Sequence, residues 1–439
     1  MSLLRYARPR YATLFALASI LLPIVLAGCT LKSGGFVISK PAHVRFFNAL
    51  VDGGAVNVTI GDQSPVTGLP FEGLTTYQDI TSGNQRVTIT VGGGTSTIVD
   101  TTTLFTDDAF STYLIYGTSA GPSAVPVSDT VLSTPGNGQF TLRAINAAFS
   151  SAGLDVYVTS PGASLDGMSP NMSNIGYGGQ TAFLLFNAGS YQVRMTLPNS
   201  KQVIYDAGTQ TFAERTTYQV VAYTKGSATL VNGAFLALDA TGTGSVVNNA
   251  IAQFKLIHAA PGTAAINAFV DGITQFINVP YGNASSYESV AAGAHTLTVD
   301  TVTSPGAPIA SAAPNFAAST DASVVVTGLP GAQTVLVLAD DNLPGTTGNA
   351  RVRFVNVAPD VAAADVLVNF AKQVVGLSVN TASSYRELAE NTYAISFQVT
   401  GTQTVLVNLP AVALTAGRTY SLYLVGASGS YAGTLTADR

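Results

Sequence analysis

Four segments of this 439-residue chain begin alike, and that repetition limits the fold more than any other feature. They are His43-Val44-Arg45-Phe46-Phe47-Asn48, Phe140-Thr141-Leu142-Arg143-Ala144-Ile145-Asn146, Phe254-Lys255-Leu256-Ile257-His258 and Val352-Arg353-Phe354-Val355-Asn356. The last residue of each serves as a marker, at 48, 146, 258 and 356. Nine residues after every marker stands one polar residue between small or apolar ones: Asn57, Asp155, Asn267 and Asp365. An aromatic follows a small, hydroxyl-rich stretch at offsets of 29, 37, 29 and 29, as Tyr77, Phe183, Tyr287 and Tyr385. The second copy therefore carries an insertion of eight residues, near Pro161 to Asn174.

Within each copy, apolar residues alternate with polar ones in short β-branched and aromatic runs, with a turn signal every ten or so residues and no long helical period. The chain is all-β. About seven strands per copy suit four tandem immunoglobulin-like β-sandwich modules, a claim of architecture only, because the Cys and Trp hallmarks of true immunoglobulin domains are missing. The modules are placed at 43–130, 140–240, 252–341 and 350–439, with Gly/Pro-rich or polar linkers at 133–138, 241–249 and 343–348. In the first module Val56, Val58 and Ile60 point to the core, with Asn57 and Thr59 pointing away.

The string Ala350-Arg351-Val352-Arg353-Phe354-Val355-Asn356-Val357-Ala358-Pro359-Asp360 resembles the bacterial DUF4397 family, a domain of unknown function. So do Ala364-Asp365-Val366-Leu367-Val368, Ser384-Tyr385, and Ala416-Gly417-Arg418-Thr419-Tyr420 with Gly426. The third copy shares His258-Ala259-Ala260-Pro261 and Gly293, whereas the first two lack the Pro three residues past the marker. The resemblance implies exported bacterial proteins with β-sandwich modules and brings no activity with it.

The N-terminus reads as an address. Arg5, Arg8 and Arg10 precede an apolar run from Ala12 to Ala27, too short for the usual membrane span. The run ends in Leu26-Ala27-Gly28-Cys29, which is similar to a bacterial lipoprotein signal. That resemblance implies a signal peptide over 1–28, a lipidated tether over 29–42, and acylation of Cys29, the only Cys in the chain. It further implies a membrane partner reached through the lipid anchor. Thr30, where Asp favours inner-membrane retention, points to the outer membrane of the cell envelope.

Charged residues make up 10% of the chain, and removing 1–28 leaves 16 basic against 24 acidic side chains, a net charge of −8. An acidic chain with scattered Lys and Arg has no footprint for a phosphate backbone, which excludes nucleic acid. Candidate chemistry is thin. The three histidines, His43, His258 and His295, lack metal-ligand spacing, and Asp107-Asp108 and Asp340-Asp341 read as turns. No Gly-x-Ser-x-Gly elbow occurs, and Gly92-Gly93-Gly94 reads as a hairpin turn. The uncharged stretch Ala322 to Ala339 is split by Gly328-Leu329-Pro330-Gly331 into two strands. The recurring Asn and Asp residues read as loop-closing groups, because every copy must fold. Cys29 is thus the one assigned site; catalytic, cofactor and metal residues are assigned to none.

The expectation is a non-catalytic cell-envelope lipoprotein whose modules act as surface or periplasmic binding or spacer units for a glycan, polymer or protein partner. A glycan-active hydrolase or accessory, and a purely structural envelope protein, are the alternatives.

Overall fold

The computed structural model describes residues 39–130, 134–149, 151, 153–227 and 229–439. The stretch expected as a signal peptide, Cys29, and the expected tether up to residue 38 lie outside the described residues.

The first module is a two-layer β-sandwich of eight strands: β1 (Ala42–Leu50), β2 (Val56–Ile60), β3 (Gln63–Leu69), β4 (Gln78–Ile80), β5 (Gly83–Val91), β6 (Ser96–Phe105), β7 (Phe110–Thr118) and β8 (Gly121–Ser128). One sheet has the order β4-β1-β7-β8 and the other β3-β2-β5-β6. All pairings are antiparallel except β1 with β7, which run parallel. The count exceeds the sequence reading by one, because β4 has only three residues and too little pattern to be read as a strand.

The other three modules repeat this plan. The counterparts of β1 are Gln139–Ala147, Ile251–His258 and Asn349–Asn356, and each pairs in parallel with its counterpart of β7, Thr217–Thr224, Asp321–Thr327 or Thr419–Ala427. Part of the stretch read as a linker, 241–249, supplies a further strand instead. Gly244–Val247 pairs with Val231–Ala237 and makes that sheet of the second module five-stranded.

Val56, Val58 and Ile60 enter the first core with Val44, Phe46, Ile89 and Tyr113, as the alternation in β2 dictates. The stretch Ala322 to Ala339 does form two strands around a turn. In β1, β7 and their counterparts the alternation disappears, and these strands are buried almost throughout. A sheet buried on both faces reads as a continuous apolar run.

The second face is covered by a neighbouring module. Phe47, Ala49, Leu114 and Tyr116 of the first pack on Ile145, Val221, Tyr223, Ala234 and Leu236 of the second. Ile257, Ala259 and Val325 of the third pack on Val355, Val357, Tyr423 and Val425 of the fourth. The modules therefore stand back to back in two pairs. Between the second and third, the buried Asn249 donates to the carbonyls of Ile204 and Val231, and the Gln253 side chain donates to Ser227 Oγ.

Candidate functional site

Each recurring residue has a local task. The marker amide closes the loop after β1. Asn48 Nδ2 donates to the carbonyls of Gly54 and Leu69, at 2.9 and 3.0 Å, and Asn356 Nδ2 to those of Val361 and Leu377, at 2.9 and 3.1 Å. Asn146 does the same through Ser151 and Ile175, and His258 reaches the Ala264 carbonyl through Nε2. The polar residue nine positions on serves a β-bulge. Asn57, Asp155, Asn267 and Asp365 each accept a backbone N–H through Oδ1, from Gly68, Asn174, Asn278 and Gly376. All four donors have positive φ, between 49 and 69°. The small hydroxyl before each aromatic (Thr75, Thr181, Ser285, Ser383) accepts an N–H of the first strand, from Phe46, Ala144, Leu256 and Phe354.

A fourth recurrence escaped the sequence reading. Three residues before every marker stands a base, Arg45, Arg143, Lys255 or Arg353, and all four are buried. The signal was present, as a cation at one fixed offset inside an apolar strand. Its meaning depends on the interface.

In the pair formed by modules three and four the bases cross over. Lys255 of the third module meets Asp438 of the fourth, and Arg353 of the fourth meets Asp340 of the third. Ser421 Oγ donates to Asp438, and Ser323 Oγ donates to Asp340. Tyr287 and Tyr385 lie beside the cations, with Lys255 Nζ 5.2 Å from the first ring centre and the Arg353 guanidinium 5.0 Å from the second. Burial works against both cations. The surrounding carboxylates and tyrosines outweigh it, so the pKa values of Lys255 and Arg353 are raised. Burial also raises the Tyr287 phenol strongly, and the charge of Asp340 adds to it.

Modules one and two hold an unequal version. Asp129, at the end of the β8 strand pairing, accepts from Thr112 Oγ1 and lies 3.3 Å from Arg45 Nε and 3.7 Å from Arg143 Nη2. By strand register the second module offers Leu238 where the others have Asp129, Asp340 and Asp438. Gln219 fills in, accepting from Arg143 and donating to Thr112 and Asp129. Arg45 Nη1 turns to the carbonyls of Ala237 and Thr243, and its Nη2 is buried without a partner among the described residues. Burial accordingly lowers the pKa of Arg143, with Asp129 opposing.

These placements correct one expectation. Asp340 is not a turn residue: it ends the strand Thr334–Asp340 and is buried in the interface, while Asp341 stays at the surface with Arg351 at 2.7 Å. Asp108 does sit in a turn, with φ of 57°, paired with Lys40. The histidines lie apart in structural roles: His43 on Asp79, His295 on Asp271, and His258 at its marker. Among the described residues no three His, Cys, Asp or Glu side chains gather as a metal site, and no helix is long and apolar enough to cross a membrane. Gly92–Gly94 forms the hairpin turn between β5 and β6.

The eight-residue insertion has a visible product. In the second module it walls a cleft of about 700 Å³ lined by Asp155, Tyr157, Met168, Pro170, Asn199 and Lys201. Lys201 Nζ donates to Tyr157 Oη at 2.9 Å and to the Met168 carbonyl, and so ties the insertion to the opposite loop.

Repeated sandwiches paired through buried charges define a tandem β-sandwich repeat protein. The chain belongs to the DUF4397 family, described as a domain of unknown function, whose model matches residues 42–157, 252–366 and 352–439. The first two matches run past one sandwich into the opening strands of its paired neighbour. A search of curated proteins finds no match. Among solved structures, the chain is similar to the Bacillus anthracis TIE protein at 8% identity and a TM-score of 0.15, covering 85% of this chain and 69% of that one. It is also similar to the glycogen-degrading pneumococcal virulence factor SpuA at 8% identity and a TM-score of 0.15, covering 83% of this chain but 37% of that one. Scores this low carry no argument about fold or function.

Proposed function

We propose that this chain is a non-catalytic lipoprotein of the cell envelope, held in the outer membrane by lipid on Cys29, whose paired sandwiches act as binding and spacer units for a glycan, polymer or protein partner. The observation that carries this reading is the use of the repeated ionisable groups. The four bases and their aspartates are consumed in holding modules together, so the recurring chemistry of the chain maintains spacing between its loops. Loops at the ends of rigid sandwiches then supply contacts. Two or more acyl chains make such an anchor stable.

The test is fractionation of cells expressing the full chain and its Cys29→Ala variant. The parent belongs in the membrane fraction and the variant in the soluble one; a variant that stays with the membrane refutes the anchor. Protease treatment of intact and lysed cells then tells a surface location from a periplasmic one.

A further inference from the structure

Three modules and the second treat the bulge residue differently. Asn57 donates through Nδ2 to Thr90, Asn267 donates through Nδ2 to Asp300, and Asp365 Oδ2 accepts from Lys372 Nζ at 2.6 Å. In the second module the residue across the ladder from Asp155 is Thr196, whose hydroxyl donates instead to the carbonyl of Leu197. Asp155 Oδ2 thus accepts no hydrogen bond among the described residues, although the residue is only 6% exposed. It lines the cleft that the insertion builds.

We propose that this cleft is a binding site for a neutral, hydroxyl-rich ligand of one or two sugar units, with Asp155 as its hydrogen-bond acceptor. The proposal rests on the reading of the chain as a binding protein and names the ligand class of one module. Asp155 Oδ2 keeps contact with solvent at the cleft, so a ligand hydroxyl would donate to it in place of water. Asn199 offers both a donor and an acceptor, while Pro170 and Met168 offer apolar surface to the C–H face of a sugar. The charges of Asp155 and Lys201 offset each other, so the lining favours a neutral ligand. A volume of about 700 Å³ lies within the range of small-molecule sites. The cleft belongs to this module: the family model leaves 158–251 unmatched, and the insertion is missing from the other copies.

The experiment is saturation-transfer NMR on the purified full chain with glucose, galactose, N-acetylglucosamine, maltose, cellobiose and chitobiose at millimolar concentration. At least one should receive transfer. Asp155→Asn keeps the oxygen that the bulge needs, as Asn57 and Asn267 show, and should weaken binding about tenfold. Ser169→Trp, which fills the cleft away from the bulge, should abolish transfer, and Asp365→Asn in the fourth module should leave it unchanged. No transfer to any of the six sugars overturns the proposal. Transfer indifferent to Asp155→Asn and Ser169→Trp also overturns the site, yet leaves the binding role of the chain standing. The lipid anchor is tested separately, by the Cys29→Ala fractionation, and its failure would leave the cleft unaffected.

Discussion

Arg353, on the first strand of the fourth module, donates to the carboxylate of Asp340 at the end of the last strand of the third. Lys255 and Asp438 repeat the contact in the opposite direction, so one self-complementary contact is used twice in the same interface. Both pairs are buried, where a charge is tolerated only with its partner.

Removing one member of such a pair should therefore cost more than removing both. Arg353→Met or Asp340→Leu alone is expected to lower stability by about 3–5 kcal/mol. The double variant should recover about 1–3 kcal/mol relative to their sum. A urea-melt double-mutant cycle measures this, and strict additivity would mean that the two side chains do not act on each other.

The first pair of modules lacks one carboxylate, because Leu238 occupies its position and Arg45 Nη2 is left without a partner. Leu238→Asp should supply it and raise stability by about 1 kcal/mol. A denaturation midpoint that stays put or falls would show that the unpaired donor is not what limits this interface.

At the bulge, Gly376 has φ of 69° and open space around an added Cβ, so the backbone alone sets the cost of a side chain. Gly376→Ala should lose about 1–2 kcal/mol. Gly376→Asn should lose less, since Asn174 and Asn278 hold the same place with φ of 49 and 55°. Thermal melts of the two variants rank them, and the reverse order would contradict the account.

His258 is the one marker that titrates. Burial holds its pKa below the ordinary histidine value, and its Nδ1 accepts the Ala260 N–H at 3.3 Å, a contact that a protonated ring forfeits. With the folded pKa depressed, the unfolded chain takes up the proton first. The stability that the neutral ring contributes is present above the ordinary histidine range and is lost as the pH falls through it. His258→Asn, which restores the marker of the other copies, should flatten the stability curve on this acid side. Melts at pH 7.5 and 5 give the comparison, and equal pH sensitivity in both proteins would remove His258 from the account.

Much of this organisation is legible in the residues. The recurrence of Asn or Asp nine residues past each marker foretells a structural bond to backbone, and Asn57, Asp155, Asn267 and Asp365 all make one, to partners 11 or 19 residues on. The insertion is equally plain from the shift of Phe183, although its cleft is not, because Lys201 lies far along the chain from Tyr157. Asp340 reads as a turn residue in the sequence, because a strand that ends in two acids looks like a strand that stops at the surface.

What the sequence determined by itself is the unit: four copies, their alternating cores, and the polar residues that close loops and bulges within each. These are effects within one module, set by side-chain period and by backbone groups of the same sandwich. Only the tertiary structure decided that the units stand in pairs. A strand face becomes core or surface according to what docks on it, and Arg143 lies beside Asp129 solely because two sheets meet. No periodicity records that meeting, since the same apolar strand serves a single sandwich and a pair equally well.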